Sequence, residues 1–396
     1  MMIGETGSGS IPQLEKRAAD SGDRRRVLIA EDQDDVLAAL GLLLKGNGYE
    51  VSFVKSPREA VEALSQKPFD AVLLDLNYSR DTTSGNEGLA LLSQVQALDN
   101  TVATVVMTAW ATIELAVNAM SRGACGFVQK PWDNAQLLEV LSQQIKRSRE
   151  LREKRLREQM EQLEAVQVQR ALFPGPIAAG DGLSIVASTQ AARAVGGDYY
   201  DVIRMSQHRS AICIADVMGK GMGAALLMSN LQAAVHTLAS EVPEPRDLCN
   251  RVNQVISANS VSGKFISFFY CVLDLKERRI SYSNAGHYWP ILARSDGQCR
   301  RLATEDVVLG ALRQWNYHQQ EEELRSGDRL VLFTDGITEC ADDQGVEFGE
   351  DKLLGLISEN VSLSADQLKN LILQSAHSHS SGVPCDDATL IVAAVD

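Results

Sequence analysis

The 396-residue sequence lacks the features that would place it in a membrane or in an oxidising compartment. No apolar run approaches the ~20 residues of a membrane-spanning helix, and the N-terminus has no signal-peptide core. The seven cysteines form no CxxC pair and have no histidine at zinc-binding spacing, which indicates reduced residues. We therefore expect a soluble, cytoplasmic protein with no membrane contact.

Basic residues are also scarce. The net charge of −14 is uneven, because residues 1–172 hold 20 basic and 24 acidic residues and the remainder holds 18 and 28. A nucleic-acid partner requires a basic face, so the acidic second half argues against one and suits a protein that binds cations. This length, with 45% hydrophobic residues, predicts two or three domains.

Glycine and proline are both missing from the charged stretch 133–172. Its strong helix formers predict one helix of about 60 Å. An a/d track suited to a weak homodimeric coiled coil comprises Ile145, Leu156, Leu163, Val166 and Phe173. The track is interrupted by Arg149, Arg152, Gln159 and Arg170. A single helix packing its few apolar residues on a neighbour fits equally well.

This helix suggests a division of the chain into four parts. We expect a disordered tail over residues 1–25, a first domain over 26–144, a helical or coiled-coil linker over 145–172 and a second domain over 173–396.

Short β-branched apolar runs alternate with helical segments in the first domain. The runs are Val27–Asp32, Tyr49–Val54, Asp70–Leu76, Thr101–Ala109 and Cys125–Lys130. This alternation predicts an α/β doubly wound parallel sheet of the flavodoxin-like type, with its site at the carboxyl ends of the strands. Polar residues at those ends are Glu31, Asp32, Asp75, Thr108 and Lys130. Singly each suits a cap or a turn, but together they suit a Mg²⁺ site.

These residues make the first domain resemble the receiver domain of two-component response regulators. The resemblance implies that Asp75 accepts a phosphoryl group from a sensor histidine kinase and that Phe127 is a switch residue. It assigns Mg²⁺ binding to Glu31, Asp32, Asp75 and the carbonyl of Asn77, and phosphoryl contacts to Thr108 and Lys130. The connection after Asp75, NYSRDTTSGNEG, is longer than the family's usual loop.

Strands and helices do not alternate strictly in the second domain. Apolar strand-like runs are Leu183–Thr189, Ser210–Val217, Phe265–Leu275, Arg278–Gly286, Asp328–Asp335 and Ala388–Val395. Helical stretches are Ala224–Ala239, Pro245–Ser257 and Ser364–Ala376. Runs of strands with clustered helices predict an α+β layered domain, a β-sandwich flanked by helices.

Carboxylates recur beside the strand ends of this domain. They are Asp198 in VGGDYYD, Asp216 in ADVMGKG, Asp335 in FTDGITE, and Asp386 and Asp387 in CDDATL. Individually such acids favour turns, yet several acids in one cleft repel each other unless cations bind. The pattern therefore predicts a two-metal site, with ions ~3.5–4 Å apart, for attack on phosphorus.

The second domain resembles the SpoIIE-type branch of the metal-dependent type 2C protein phosphatases, and it shares the motifs QRALFP, NAGH and GVEFGEDKL. The resemblance implies that Asp198 and Asp216 contact two Mn²⁺ or Mg²⁺ ions, with help from the Val217 carbonyl. It assigns one metal to Asp335 and Asp386, while Asp387 assists or only caps its turn. Arg193 is a candidate for binding substrate phosphate.

Other polar residues have less definite assignments. His287 suits a proton donor or, with better support, a turn fixed by hydrogen bonds. Lys220 suits a structural role or a contact with substrate, and His377 and His379 are expected in an exposed loop.

Together these patterns predict a response regulator whose phosphorylation controls hydrolysis of phosphoserine or phosphothreonine on a protein. By resemblance, the substrate is an anti-sigma-factor antagonist of the STAS type. The main alternative is a non-catalytic adaptor, which predicts missing metal acids. A DNA-binding regulator is disfavoured because the second half is acidic.

Overall fold

A computed structural model of the protein describes residues 25–78, 86–109, 112–175, 182–259, 263–304, 306–380 and 386–396. The chain forms two units, Met1–Glu161 and Gln162–Asp396. The expected tail lies outside the described residues except for Arg25, as does the 79–85 part of the long connection. Among the described helices, none has the length and apolar character to cross a membrane.

The first unit contains a five-stranded parallel sheet in the order β2-β1-β3-β4-β5. Its strands are β1 (Arg25–Ala30), β2 (Tyr49–Val54), β3 (Ala71–Asp75), β4 (Ala103–Thr108) and β5 (Gly126–Gln129). Its helices are α1 (Asp34–Gly46), α2 (Pro57–Gln66), α3 (Asn86–Leu98) and α4 (Ile113–Ser121). Alternate residues of β1, β3 and β4 enter separate cores on the two faces, which explains why these strands are mostly apolar runs. The predicted doubly wound fold is confirmed.

Helix α5 (Asn134–Leu172) is the single long helix that the sequence predicts. Leu137, Leu141 and Ile145 are buried in the core of the first unit. Arg149 then binds both carboxylate oxygens of Asp70, at 3.0 and 3.1 Å. The arginines that interrupt the a/d track thus hold the helix against the first unit, as Arg152 also binds Asp99 at 2.7 Å and the Phe69 carbonyl at 2.9 Å.

The second unit contains two five-stranded antiparallel sheets, in the orders β13-β10-β9-β8-β7 and β12-β11-β14-β15-β6. Its strands are β6 (Leu183–Gln190), β7 (Tyr199–Arg204), β8 (Arg209–Val217), β9 (Ile266–Asp274), β10 (Arg279–Ala285), β11 (Ile291–Ala293), β12 (Cys299–Arg301), β13 (Gln320–Glu323), β14 (Arg329–Phe333) and β15 (Ala388–Val395). Its helices are α6 (Met222–Ala239), α7 (Pro245–Asn259), α8 (Asp335–Thr338), α9 (Glu350–Glu359) and α10 (Ala365–His379).

One core fills the space between these two sheets, and residues from β8 and β9 meet residues from β14 and β15 there. A second core joins the first sheet to α6 and α7, and a third joins the other sheet to α9 and α10. The predicted sandwich flanked by helices is confirmed.

Several elements differ from the sequence-based expectation. Strand β13 has the sequence QEEE, which is depleted in strand formers, and it pairs at the sheet edge with β10. His377 and His379 lie in the last turn of α10, so the prediction of a loop is wrong there. His379 Nε2 donates a hydrogen bond to the Val346 carbonyl at 2.8 Å. The six described cysteines form no disulfide with one another.

Candidate receiver and metal sites

The carboxyl end of the parallel sheet brings together an ammonium group and two buried acids. Lys130 Nζ lies 2.6 Å from Glu31 Oε2 and 2.9 Å from Asp75 Oδ2. Burial raises the pKa of both Glu31 and Asp75, and the Lys130 charge opposes that rise. One cation thus compensates only part of the negative charge at this edge.

A metal ion fits the same place. Glu31, Asp32 and Asp75 each offer a carboxylate oxygen, and these oxygens lie within 4.8 Å of one another. Asp75 Oδ1 is buried and accepts no hydrogen bond from any residue that the structure describes. Hard oxygen donors at this spacing suit Mg²⁺.

The other predicted receiver residues lie in or just after β3, β4 and β5. Asn77 Nδ2 donates to Thr108 Oγ1 at 3.2 Å, which joins the ends of β3 and β4. Phe127 is half-buried against the core under α3 and α4. Sequence reasoning missed Tyr78, whose ring is buried; burial and the charge of Asp75 raise the pKa of its hydroxyl.

The acids of the second unit are supplied by both sheets of the sandwich. Asp198 immediately precedes β7, and Asp216 is the penultimate residue of β8. Asp335 opens α8 directly after β14, and Asp386 precedes β15 by two residues. The sandwich therefore brings strand ends that are distant in sequence to one site.

Asp198 is the most buried of the four, with 3% exposure. Its Oδ2 accepts hydrogen bonds from Thr334 at 2.8 Å and from Thr389 at 2.7 Å. Its Oδ1 is buried and accepts no hydrogen bond within the described part of the chain. Burial, followed by the charge of Asp216, raises the pKa of Asp198 well above its usual range. An ionised Asp198 thus needs a positive partner. Thr334 and Thr389 lie in FTDGITE and CDDATL, the motifs named above for their acids, but neither motif indicates that these hydroxyls bond Asp198.

The remaining acids repel one another. Burial and the charges of Asp335 and Asp386 raise the pKa of Asp216 to about 7. Burial and Asp386 raise the pKa of Asp335 to about 6. Lys220 partly offsets this charge, since its Nζ lies 2.8 Å from Asp386 Oδ2. Within the described residues, no three of these acids have carboxylate oxygens as close together as those of Glu31, Asp32 and Asp75.

Asp387 has a different environment from Asp386. Its Oδ1 accepts the Ala192 N–H at 2.8 Å, and its Oδ2 accepts the Gly197 N–H at 2.6 Å. Both oxygens therefore fix the loop that precedes Asp198, and these bonds reach beyond the turn that Asp387 itself occupies. Gly336 allows the close approach of this segment, because a β-carbon there would lie 2.1 Å from the Asp387 carbonyl oxygen.

Two further predicted residues flank the acids. The Val217 carbonyl packs against Gly197, where a β-carbon would lie 2.9 Å from its oxygen. Arg193 is exposed, and its guanidinium lies beside Gly221 at the start of α6. Val217 is therefore next to the Asp198 loop, and Arg193 is available to an anion in solution.

His287 serves a structural purpose in NAGH. Its Nε2 donates to the Phe333 carbonyl at 3.1 Å, so its Nδ1 accepts from the Ser267 hydroxyl at 2.8 Å. Asn284 accepts the His287 backbone N–H at 2.7 Å. Burial lowers the pKa of His287 to about 4, so the ring stays neutral at physiological pH. These contacts agree with the turn-fixing role and not with a proton donor.

Comparisons with known families assign each unit separately. The family model for the response regulator receiver domain matches residues 27–142. The model described as Stage II sporulation protein E (SpoIIE) matches residues 206–396.

Individual relatives resemble parts of the chain. The phosphoserine phosphatase RsbU of Bacillus subtilis (strain 168) is 32% identical over 232 residues, which cover 58% of this chain and 68% of the relative. Protein IcfG of Synechocystis is 28% identical over 254 residues, or 57% of this chain and 40% of the relative. The solved SiaA-PP2C domain of Pseudomonas aeruginosa has a TM-score of 0.56 at 19% identity and covers 61% of this chain and 99% of that domain. This last likeness concerns the fold alone.

Proposed function

The chain belongs to the SpoIIE family of metal-dependent serine/threonine phosphatases, and from this premise we propose that it hydrolyses phosphoserine or phosphothreonine on a protein under the control of phosphorylation at Asp75. The observation that carries the proposal is Asp198. Its carboxylate is buried, and one of its oxygens accepts no hydrogen bond from any described group. Neighbouring acids repel its charge. Such an environment fits a binding site for divalent cations.

The proposed metal ligands of the phosphatase are Asp198, Asp216, Asp335, Asp386 and the Val217 carbonyl. Two Mn²⁺ or Mg²⁺ ions, when bound, supply Lewis acidity to the phosphoryl oxygens and lower the pKa of the attacking water. Thr334 and Thr389 hold Asp198 in place, and Asp387 holds the loop in front of it. Because Asp386 raises the pKa of Lys220, this ammonium remains charged and, with Arg193, can bind the substrate phosphate.

The surface beside Lys220 supports a protein substrate. Met218, Met222 and Leu226 expose 55%, 51% and 66% of their surface, and the latter two lie four residues apart on α6. An apolar surface next to cationic groups suits a phosphoprotein better than a small phosphate ester. We propose a STAS-type anti-sigma-factor antagonist as this substrate, which works in the cytoplasm.

Regulation is proposed to begin at the receiver. A sensor histidine kinase would phosphorylate Asp75, with Mg²⁺ held by Glu31, Asp32, Asp75 and the Asn77 carbonyl. Thr108 and Lys130 would contact the phosphoryl group, and Phe127 would respond to it. Helix α5, as an unbroken rod and a homodimer contact, would carry the change to QRALFP. Inserting Gly-Gly near Leu156 should make activity independent of phosphorylation, and retained dependence would contradict this route.

The decisive experiment measures phosphate release from a phosphoserine STAS protein with Mn²⁺, with and without acetyl phosphate. We expect metal-dependent turnover that Asp216→Asn abolishes, and an effect of acetyl phosphate that Asp75→Asn abolishes. A folded wild-type protein that binds the STAS partner without turnover would favour the adaptor instead.

A further inference from the structure

The end of α5 carries a side chain that is bonded to the loop in front of Asp198. Gln169 Nε2 donates to the Gly196 carbonyl at 2.7 Å, and Gln169 Oε1 accepts the Gly196 N–H at 3.1 Å. One amide therefore holds both backbone groups of a single residue. This pair of bonds fixes the position and the orientation of Gly196, which a single bond would leave free to rotate.

The held residue is closely connected to the metal site. Gly196 lies two positions before Asp198, and Gly197 donates to Asp387. A β-carbon on Gly196 would lie 2.7 Å from Asp387 Oδ2, and one on Gly197 would lie 2.9 Å from the Val217 carbonyl oxygen. With so little space on either side, a displacement of Gly196 must move Asp198, Asp387 or Val217.

The same end of α5 also packs on the other side of Asp198. Leu172 and Phe173 lie against the core beneath α6 and α7. The Phe173 ring has its centroid 5.3 Å from that of Tyr200, two positions after Asp198. The segment 196–200 is therefore in contact with α5 at Gly196 and with Phe173, the residue after α5, at Tyr200.

We propose that Gln169 is a positioning residue that sets the affinity of the phosphatase site for divalent metal by fixing the backbone in front of Asp198. The inference rests on the proposed function, since it assumes that Asp198 binds metal. It adds that the last turns of α5 belong to the support of the metal site, so that a shift of this helix changes metal binding and not only access of the substrate. Groups that orient metal ligands typically change metal affinity ~10–100-fold when they are replaced.

The variant Gln169→Met tests this role, because it keeps the length and apolar stem of the side chain and removes both hydrogen bonds. Gln167→Met is the matched control, since Gln167 is exposed on the same helix. Mn²⁺ binding to the full-length protein is measured by calorimetry, with the receiver site as a common background in every variant. Hydrogen exchange of the 192–200 amides is measured in EDTA.

We expect Gln169→Met to weaken Mn²⁺ binding about tenfold and to speed exchange of the Gly196 amide, while Gln167→Met changes neither. Unchanged Mn²⁺ affinity in Gln169→Met would overturn the inference. This holds even if the variant melts at a lower temperature, because lower stability with unchanged metal affinity would mean that Gln169 has only a structural role. Failure of the proposed function looks different. In that case Asp216→Asn and wild type would give the same Mn²⁺ isotherm.

Discussion

Replacement of Asp216 by Asn is expected to stabilise the metal-free protein at alkaline pH and to remove metal binding. The carboxylate is partly buried beside Asp335 and Asp386, and these surroundings raise its pKa to about 7. An asparagine amide has the same shape but no charge, so it avoids both the desolvation cost of a buried carboxylate and its repulsion by the neighbouring acids. The acid would therefore be retained for its ligand chemistry at a cost in stability.

The size and pH range of this effect follow from linkage. The pKa of Asp216 is near 3.8 in the unfolded chain and about 7 in the folded protein. As pH rises through this window the unfolded chain releases its proton first, so stability falls and the loss is complete above pH ~7. The difference corresponds to roughly 4 kcal/mol at ~1.36 kcal/mol per pH unit. Because water reaches the carboxylate, we expect about half of that, ~2 kcal/mol.

Urea unfolding in EDTA between pH 5 and 8.5 measures this difference. At pH 8, Asp216→Asn should have the larger free energy of unfolding, and the difference from wild type should narrow as pH is lowered toward 5. Asp342→Asn is a control of opposite sign, because backbone N–H groups of Val346 and Gln344 lower the pKa of Asp342. Equal or lower stability of Asp216→Asn at pH 8 would refute the assignment of mutual repulsion at this site.

Three further predictions concern stability. Gly336→Ala should unfold the metal site, because its β-carbon would lie 2.1 Å from a backbone oxygen. The control Gly355→Ala on α9 meets nothing within 4 Å and should stabilise the protein by up to ~1 kcal/mol. Melting curves and Mn²⁺ titrations of the two variants test this difference. The pKa of His287 is lowered to about 4, so the unfolded chain takes up a proton first as pH falls from 6.5 to 4, and the free energy of unfolding should fall by roughly 3 kcal/mol. In urea unfolding over the same pH range, His287→Asn should lose less of its free energy of unfolding. Arg149→Ala should destabilise the first unit by about 1–2 kcal/mol, and the double variant with Asp70→Ala should lose less than the sum of the two single variants if the pair interacts as the structure indicates.

Sequence patterns predicted those elements whose burial is uniform along the chain. The central receiver strands β3 and β4 are buried on both faces, so each is a mostly apolar run such as Ala71–Asp75, and the polar residue that ends it stands out. The sandwich strands β8, β9 and β15 are predictable for the same reason. Strand β13 lies at an edge with mostly exposed side chains, and nothing in QEEE distinguishes it from a loop.

The supporting residues of the site could not be predicted, because their partners are distant in sequence. Thr334 and Thr389 meet Asp198 only when the two sheets pack, across separations of 136 and 191 residues. Gln169 opens the QRALFP motif, yet nothing in that motif indicates that its amide bonds Gly196, which only the fold places beside it. Acids beside glycine carry a local signature, whereas the groups that orient them do not.

The arginines that interrupt the a/d track in α5 are explained by contacts within the first unit and not by the strength of a coiled coil. Arg149 and Arg152 weaken a coiled coil, yet their partners Asp70 and Asp99 lie in the first unit, so these positions bind the chain's own receiver. Ile145 is likewise buried in that core. The track left for a homodimer is the stretch from Leu156 to Val166. Because Arg152 bonds the first unit and Gln169 bonds Gly196 of the second, an insertion at Leu156, between these two anchors, is the sharpest test of whether the rod transmits the signal.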